Sequence, residues 1–394
     1  MAKPTTFFSP FTYKGNGSSK ENGSQGIKVV PGKTNRFVLT GTSGNLSSKG
    51  QGTVYVGEIN GQSTSQGSGS GSWTLVNVPA SWKASETSIY GPGAIVPGKG
   101  SGGIESIQLA GTYTQPVTVN GKSSYKTIGY TYSGPLTSTP RASNFKSFAA
   151  KTPAGKPVYD TFLHSWSGKL VAGNYTESNS ILARTLNTSV DSNAFVYDPV
   201  TNTQTTLTFS IPSKSHTAFG IWYNGPSPSS NNKETYTIAG GSSLVNPAVK
   251  VLGNLGQQIG VATLADYDPI TRKTVNQRNY QYLNDNKNIY VTHFEGIYYA
   301  GDNIYQMPFS ASSSKGGFIG NAYVKRLSNG QFSKDAVWQT FDAGSQGSLL
   351  SNDSTAGLGS TGMLKSSTGL IAPFAALMDS DVYKGFLTQA QSLT

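Results

Sequence analysis

The chain has 394 residues, of which 36% are apolar and only 12% are charged, and its formal charge at pH 7 is +11. This length can bury a sizeable core, its 21 Tyr and 17 Phe argue against disorder, and the absence of Cys excludes disulfides and thiolate metal sites. Only six of the 30 basic residues are Arg, and neither a basic run nor a bilayer-length apolar run is present. We therefore predict neither nucleic-acid binding nor membrane insertion.

The predicted elements are short strands separated by turns, and one strand centred on a tyrosine recurs along the chain. In chain order its copies are residues 54–57, 131–134, 196–199, 266–269, 322–325 and 382–385. Their tyrosine anchors, spaced 77, 65, 70, 56 and 60 residues apart, are Tyr55, Tyr132, Tyr197, Tyr267, Tyr323 and Tyr383. Counting from the last anchor through the C-terminus and on from the N-terminus to the first gives 66 residues, so the period closes on itself.

Three further segments follow each tyrosine strand. The first is an aromatic-rich run, seen at 73–78, 145–148, 207–209, 280–282 and 338–341. A second anchor comes next, at 26–27, 91–92, 165–166, 220–221, 296–297 and 357–358. The last is an outgoing strand, at 37–41, 107–111, 169–173, 236–240, 305–309 and 370–374. Each unit is thus predicted to hold four strands, with the tyrosine strand first.

Six four-stranded units predict an all-β chain folded as a six-bladed β-propeller, a single domain over residues 1–394. Residues 7–11 stand in the second-strand position and residues 382–387 in the first-strand position, so we expect one blade to be closed by strands from both termini. An open β-solenoid usually has shorter repeats, and two β-sandwiches would not explain the common period. Asp198 and Asp268 each precede a proline and are predicted to be turn acceptors rather than catalytic acids.

Two stretches carry a resemblance to a known family. Residues 193–198 followed by 217–221, and more partially residues 321–324, resemble the bacterial repeat named for its His-Ala-Phe tripeptide. Asn193 and Asn321 stand where the family has His. The resemblance implies an extracellular or cell-surface location and a propeller fold rather than a particular chemistry.

The three histidines, His164, His216 and His293, all precede the second anchor in three consecutive units. Equivalent loops of a propeller emerge on one face, so a site with three histidine ligands is conceivable near the axis. Their offsets from the anchor differ, however, and histidines that cap loops or lie at the surface are the alternative. We therefore predict no metal site and no cofactor.

Glu295 lies beside His293 and offers an acid/base pair with a carboxylate from another unit, such as Glu86 or Asp353. Paired carboxylates are what glycoside hydrolysis requires. The catalytic motifs of sialidases, serine hydrolases and propeller lactonases are not recognisable, so we assign no catalytic residue unless the protein is an enzyme, in which case Glu295 and His293 are the candidates.

Aromatic side chains give a further signal. Tyr90, Trp166, Trp222 and Tyr298 lie within two residues of the second anchor in four units, and we expect them on one rim. Flat aromatic faces beside Asn, Ser and Lys suit sugar rings. The alternative is that these side chains fill the gaps between blades, because packing produces the same periodicity.

These patterns favour a secreted, lectin-like, non-enzymatic propeller that binds carbohydrate or an anionic cell-surface polymer on one face. The predicted ligand residues are Tyr90, His164, Trp166, His216, Trp222, His293, Glu295 and Tyr298. A hydrolase or lyase that acts on polysaccharide and a structural scaffold are the alternatives. An enzyme should concentrate its polar groups at one central site, whereas a lectin-like protein should bind between blades. Ligand identity and oligomeric state stay open.

Overall fold

A computed structural model of the chain describes residues 7–10, 22–33, 36–44, 49–58, 71–99, 103–119, 121–137, 139–177, 191–209, 215–227, 233–245, 250–251, 254–255, 258–282, 289–313, 316–340, 357–358, 364–366, 369–378 and 382–390. Strands dominate these residues, and the helical segments among them are two short 3-10 turns, Ala80–Trp82 and Ala142–Asn144. No helix in this part of the chain has the length and apolar character needed to cross a bilayer.

The first half of the chain forms three four-stranded antiparallel sheets, preceded by strand β1 (Phe7–Pro10). Sheet 1 consists of β2 (Asn22–Val29), β3 (Arg36–Ser43), β4 (Gln51–Glu58) and β5 (Ser72–Leu75). Sheet 2 consists of β6 (Glu86–Pro97), β7 (Ile104–Val119), β8 (Lys122–Gly134) and β9 (Phe145–Phe148). Sheet 3 consists of β10 (Asp160–Ser167), β11 (Leu170–Thr176), β12 (Ser192–Asp198) and β13 (Thr203–Thr206).

The second half continues the pattern. Sheet 4 contains β14 (His216–Ser227), β15 (Lys233–Val245), β18 (Gln258–Asp268) and β19 (Lys273–Tyr280), with a small hairpin of β16 (Lys250–Val251) and β17 (Asn254–Leu255) inserted. Sheet 5 contains β20 (Ile289–Phe294) and β21 (Tyr298–Gly301), which share β22 (Ile304–Ser313), followed by β23 (Gly316–Lys325) and β24 (Val337–Thr340). Sheet 6 contains β25 (Gly357–Leu358), β26 (Leu364–Ser366), β27 (Gly369–Met378) and β28 (Val382–Ala390).

The prediction of an all-β chain is confirmed, and three of the sheets hold four strands each, whereas sheets 4 and 5 together form one nine-stranded sheet and β1 makes sheet 6 five-stranded. Sheets 4 and 5 are joined by one parallel bridge, between Gly260 and Val291, and the other strand pairings described are antiparallel. Strand β1 pairs with β28, with Phe7 opposite Gln389. Strands from near the two ends of the sequence therefore lie in one sheet.

The position of the tyrosine strand within a sheet differs from the prediction. All six anchors lie in the third strand of a sheet, from Tyr55 in β4 to Tyr383 in β28, and not in the first. The second anchor opens the following sheet instead. The sequence repeat and the sheet have the same period but start at different strands. The prediction was wrong on this point because a periodic pattern does not show which loops close a hairpin and which connect two sheets.

The register of the anchors also varies between sheets. Tyr197 lies opposite Val171, two residues before Gly173, and the anchors of sheets 1 and 2 are paired in the same way. Tyr267 instead lies opposite Tyr236, four residues before Gly240. The third strand of sheet 4 therefore extends two residues further along its hairpin.

A β-bulge explains the second anchor. In sheets 2 to 4 the first strand carries one extra residue opposite the second strand, namely Tyr90, His164 and Phe219. The glycine that ends each outgoing pattern faces the residue before the bulge, where a Cβ on Gly240 would lie 2.0 Å from the Thr217 carbonyl oxygen. The recurring glycine is therefore required by the bulge opposite it.

The hydrophobic core lies between neighbouring sheets. One cluster combines Leu170 and Val196 of sheet 3 with Ile221 and Ile238 of sheet 4, and similar clusters join sheet 1 to sheet 2 and sheet 4 to sheet 5. Burial of the inner face of each sheet against its neighbour is the main favourable term in such packing.

Candidate functional site

The eight predicted ligand residues do not share one rim. Tyr90 and His164 occupy bulge positions in the first strands of sheets 2 and 3, whereas Glu295 directly follows β20 and its backbone N–H donates to the Pro308 carbonyl at 2.9 Å. His216 lies at the start of β14, whereas Trp222 lies six residues along the same strand. The structure therefore separates them into three environments.

The first environment is an arc of ring contacts across four sheets, the bulge arc, formed by Tyr90, His164, Phe219 and His293. The ring centroids lie 5.0 Å apart for Tyr90 and His164, 4.1 Å for His164 and Phe219, and 4.5 Å for Phe219 and His293. Phe219 was not predicted as a site residue. It lies directly before the second anchor of its unit, as Tyr90 and His164 do in theirs. That shared offset was the signal.

His164 is a packed core side chain. It is buried, and its Nε2 lies 2.8 Å from the Oδ1 of Asn174. Burial lowers the pKa of His164 to about 4, although the hydrogen bond of Asn174 and the charge of Glu295 raise it. The ring is therefore neutral at neutral pH and contributes shape rather than charge.

The pair of His293 and Glu295 ends the bulge arc. Nδ1 of His293 lies 3.4 Å from Oε1 of Glu295, and the two side chains are 17% and 12% exposed. The hydroxyl of Ser310 donates to the same carboxylate oxygen at 2.5 Å, and Thr217 Oγ1 lies 2.5 Å from His293 Nε2. His293 and Glu295, two residues apart in the sequence, therefore lie side by side in the structure.

The carboxylates proposed as partners of Glu295 are placed differently. Glu86 lies at the start of β6, accepts a hydrogen bond from Ser88 at 3.1 Å and contacts Gly50 of sheet 1. Asp353 lies outside the described residues. Within the described part of the chain, no three His, Asp or Glu side chains gather as the ligands of one metal ion.

His216 and Trp166 lie apart from the bulge arc. Nδ1 of His216 lies 2.8 Å from Ser242 Oγ, its ring packs 4.4 Å from Phe209, and burial lowers its pKa to about 4. Trp166 is buried, and its indole N–H donates to the carbonyl of Gly168 at 3.2 Å. The packing alternative therefore describes Trp166.

A cleft of about 810 Å³ opens between sheets 4 and 5, and we call it the sheet 4–5 cleft. Trp222 and Tyr299 line it, and the Trp222 ring packs edge-on against Tyr298, 5.6 Å away. Its other lining residues are Asn224, Thr235, Asp266, Tyr267, Asp268, Val275, Asn276, Asn303, Tyr305, Arg326, Leu327, Ser328, Asn329 and Gly330. Aromatic and amide side chains thus meet in one concave surface.

A partly buried ion pair spans this cleft. Both terminal nitrogens of Arg326 lie 2.7 Å from the carboxylate oxygens of Asp266, and the two side chains are 21% and 10% exposed. The guanidinium also lies over Phe332, 4.6 Å from its ring centre. Burial alone would lower the pKa of Arg326, but the hydrogen bonds and charge of Asp266, with those of Tyr305, raise it overall.

The remaining donors of Arg326 are also satisfied. Nη1 donates to the Gly330 carbonyl at 2.9 Å and Nη2 to Thr237 Oγ1 at 3.0 Å, while Nε reaches the Tyr305 hydroxyl at 3.3 Å. The Tyr305 hydroxyl in turn donates to Asn224 Oδ1 at 2.7 Å. All five guanidinium N–H groups therefore have acceptors.

Other polar groups of the cleft remain available. The indole N–H of Trp222 and the side-chain amide of Asn303 have no hydrogen-bond partner among the described residues. The Tyr299 hydroxyl accepts from the Asn303 backbone at 3.1 Å and can still donate. The cleft thus combines an ion pair whose hydrogen bonds are all made within the protein with polar groups that can bind a hydroxylated ligand.

The sequence analysis missed Asp266 and Arg326, although one signal was present. Asp266 precedes the anchor Tyr267, and the other five anchors are preceded by Val, Thr or Ala. A carboxylate at a position that is apolar or neutral in the other units indicates a role other than core packing. Arg326, three residues after Tyr323, is its partner 60 positions away.

No protein-family profile and no curated protein matches the chain. Among solved structures, it is similar to Trypanosoma rangeli sialidase in complex with sialic acid, with 9% identity and a TM-score of 0.46 over 99% of this chain and 57% of that one. It thus spans less than two thirds of the sialidase. MPT-4, a mannose phosphorylase from Leishmania mexicana, gives 10% identity and a TM-score of 0.34 over 86% and 89% of the two chains. These similarities assign neither a family nor an activity.

Proposed function

We propose that the protein is a six-bladed, single-domain β-propeller that binds carbohydrate without catalysis, outside the cell or at its surface. The ring is supported by contacts between successive sheets and by the contacts of β2 with β27 and β28, which bring sheet 1 against sheet 6. The pairing of β1 with β28 supports a blade assembled from both chain ends. The resemblance to the His-Ala-Phe repeat supports the location.

The observation that carries the binding role is the sheet 4–5 cleft. Trp222 and Tyr299 provide aromatic faces for the C–H surface of a sugar ring, and Asn303 provides an amide for its hydroxyls. The position of the cleft between two sheets is the one expected of a lectin-like protein. Its volume of about 810 Å³ is sufficient for a short oligosaccharide.

The test is a glycan array followed by titration of the best glycan. Trp222→Ala should weaken binding roughly tenfold, because it removes the stacking surface. Tyr223→Ala is the matched control, since Tyr223 is the next residue of β14 and packs against Tyr236, 5.2 Å away. Absence of binding by the unaltered protein, or equal binding by Trp222→Ala, would refute the proposal.

A polysaccharide hydrolase or lyase is the second candidate, favoured by the 3.4 Å pair of His293 and Glu295 with Ser310 on the same carboxylate. If the protein is such an enzyme, Glu295→Gln should abolish release of sugar from a polysaccharide panel while glycan binding survives. No sugar release by the unaltered protein excludes this candidate. A protein that neither binds nor cleaves glycans would be the structural scaffold.

A further inference from the structure

We infer that the sheet 4–5 cleft selects uncharged sugars and discriminates against uronates, sialylated sugars and sulfated sugars. This inference rests on the proposed function, because it specifies the class of carbohydrate that the same cleft takes. Two independent observations carry it, namely the saturation of Arg326 and the charge of the cleft lining.

Arg326 is the only cation in the described lining of the cleft, and it has nothing left to donate. Proteins recognise carboxylates and sulfates mainly through free N–H groups of Arg, often two at once. Here Asp266 occupies that bidentate position at 2.7 Å on both sides, and Gly330, Thr237 and Tyr305 accept the rest. An acidic sugar would have to displace a buried carboxylate to reach the guanidinium.

The lining is locally acidic although the protein is strongly basic. It contains two carboxylates, of Asp266 and Asp268, and the one guanidinium of Arg326, a net charge of −1. The whole chain carries +11. A ligand in the cleft therefore meets, in the described lining, no cation with an N–H group left to donate.

An uncharged pyranose suits the groups that remain free. Asn303 offers a side-chain amide to sugar hydroxyls, whereas Asp268 already accepts from the Ile270 backbone at 2.8 Å and from the Thr271 hydroxyl at 2.9 Å. Trp222 and Tyr299 can donate hydrogen bonds to ring and hydroxyl oxygens. The sequence-based prediction of an anionic polymer as ligand rested on the positive net charge of the whole chain. The described lining of this cleft has one cation, and that cation is already paired.

The experiment compares sugars that differ only in charge. The probes are the methyl glycosides of glucose, galactose and mannose, the matching uronates, and the uronate methyl esters, whose carboxyl groups are uncharged. Binding is measured by saturation-transfer NMR with the full chain and with Trp222→Ala. We expect the uronate to bind roughly tenfold more weakly than the neutral sugar and its methyl ester to recover most of the loss.

A gain-of-function variant tests the cause. Asp266→Asn removes the carboxylate that saturates Arg326, so uronate affinity should rise by roughly tenfold. Asp268→Asn is the matched control, because it changes the lining charge equally, two residues away, without freeing the guanidinium. It should raise uronate affinity by only about twofold. The denaturation midpoint of each variant is measured first, and the wild-type comparison stands if Asp266→Asn does not fold.

The outcomes separate the two levels of the proposal. If no sugar binds, the proposed function fails and this inference fails with it. If neutral sugars and uronates bind equally and both are lost in Trp222→Ala, the cleft binds carbohydrate but the charge selectivity is wrong. Tighter binding of uronates by the unaltered protein would overturn the inference in the same way.

Discussion

Two neighbouring junctions of the molecule solve the same packing problem differently. Between sheets 3 and 4, Leu170 and Val196 pack on Ile221, and the ion pair at this junction is Lys169 with Glu234, 2.9 Å apart and 67% and 37% exposed. Between sheets 4 and 5, the ion pair of Arg326 and Asp266 is buried in the wall of a cleft. The first junction is apolar inside and charged outside, whereas the second encloses its charge.

The two junctions also differ by two residues of register. In sheet 3 the pairing of the second and third strands ends at Tyr197 and Val171, two residues beyond Gly173. In sheet 4 it ends at Tyr267 and Tyr236, four residues beyond Gly240, and the pair of Asp266 and Thr237 lies in this longer part. Both strands then end in the same Asp-Pro turn. Asp198 accepts from the Val200 backbone and Asp268 from the Ile270 backbone, each at 2.8 Å, which confirms both as turn acceptors. The junction of sheets 4 and 5 thus combines a core cluster with a polar cleft, whereas the junction of sheets 3 and 4 keeps its charged pair outside.

Breaking the buried pair should give the largest change in stability. Arg326→Met leaves the Asp266 carboxylate enclosed without its cation, and the free energy of unfolding should fall by about 3 to 4 kcal/mol. Denaturant midpoints and slopes measure the effect. The double variant with Asp266→Leu should recover most of the loss, because no buried charge remains. If Arg326→Met were as stable as the parent, the Asp266 carboxylate would be hydrated in the folded protein and the prediction would be wrong.

Lowering the pH should give the second largest change in stability, at the junction of sheets 3 and 4. His164 contacts Phe219 across sheets 3 and 4, and its pKa of about 4 lies below the unfolded value of 6.5. Between these values the unfolded chain binds the proton and the folded chain does not, so stability is fully present above pH 6.5 and is lost as the pH falls toward 4. The loss should be about 3 kcal/mol.

The measurement is the denaturation midpoint of the parent and of His164→Gln at pH 7 and pH 4.5. The variant should lose less stability on acidification, while the depressed pKa of His216 preserves part of the slope in both proteins. Identical slopes would show that His164 is protonated in the folded state. The raised pKa of Arg326 keeps the charge on its guanidinium constant over this range.

The exposed pair should give the smallest effect. Lys169→Met makes the same substitution class at the sheet 3–4 junction, and we expect no measurable shift of the denaturation midpoint, since surface ion pairs are solvated and screened by salt. A loss as large as that of Arg326→Met would remove the distinction between the junctions.

Much of the fold followed from local patterns. Short strands, turn residues and a common period predicted an all-β chain with four-stranded sheets, and the Asp-Pro pairs predicted the turn at Asp198. The starting point of the repeat did not follow, because Tyr55 and its counterparts look the same whichever strand of a sheet they occupy. Of the predicted ligand residues, Trp222 lines the cleft, whereas Trp166 is core and His216 lies apart.

The sequence by itself determined strand content, period and turns, since these depend on residues close together in the chain. Only the tertiary structure decided that Asp266 meets Arg326, 60 residues away, and that Phe219 completes the arc between His164 and His293. Those meetings depend on hydrogen-bond register and on bulges. A shift of one residue turns a side chain to the other face of its sheet, and a shift of two carries it one pair further along the same face.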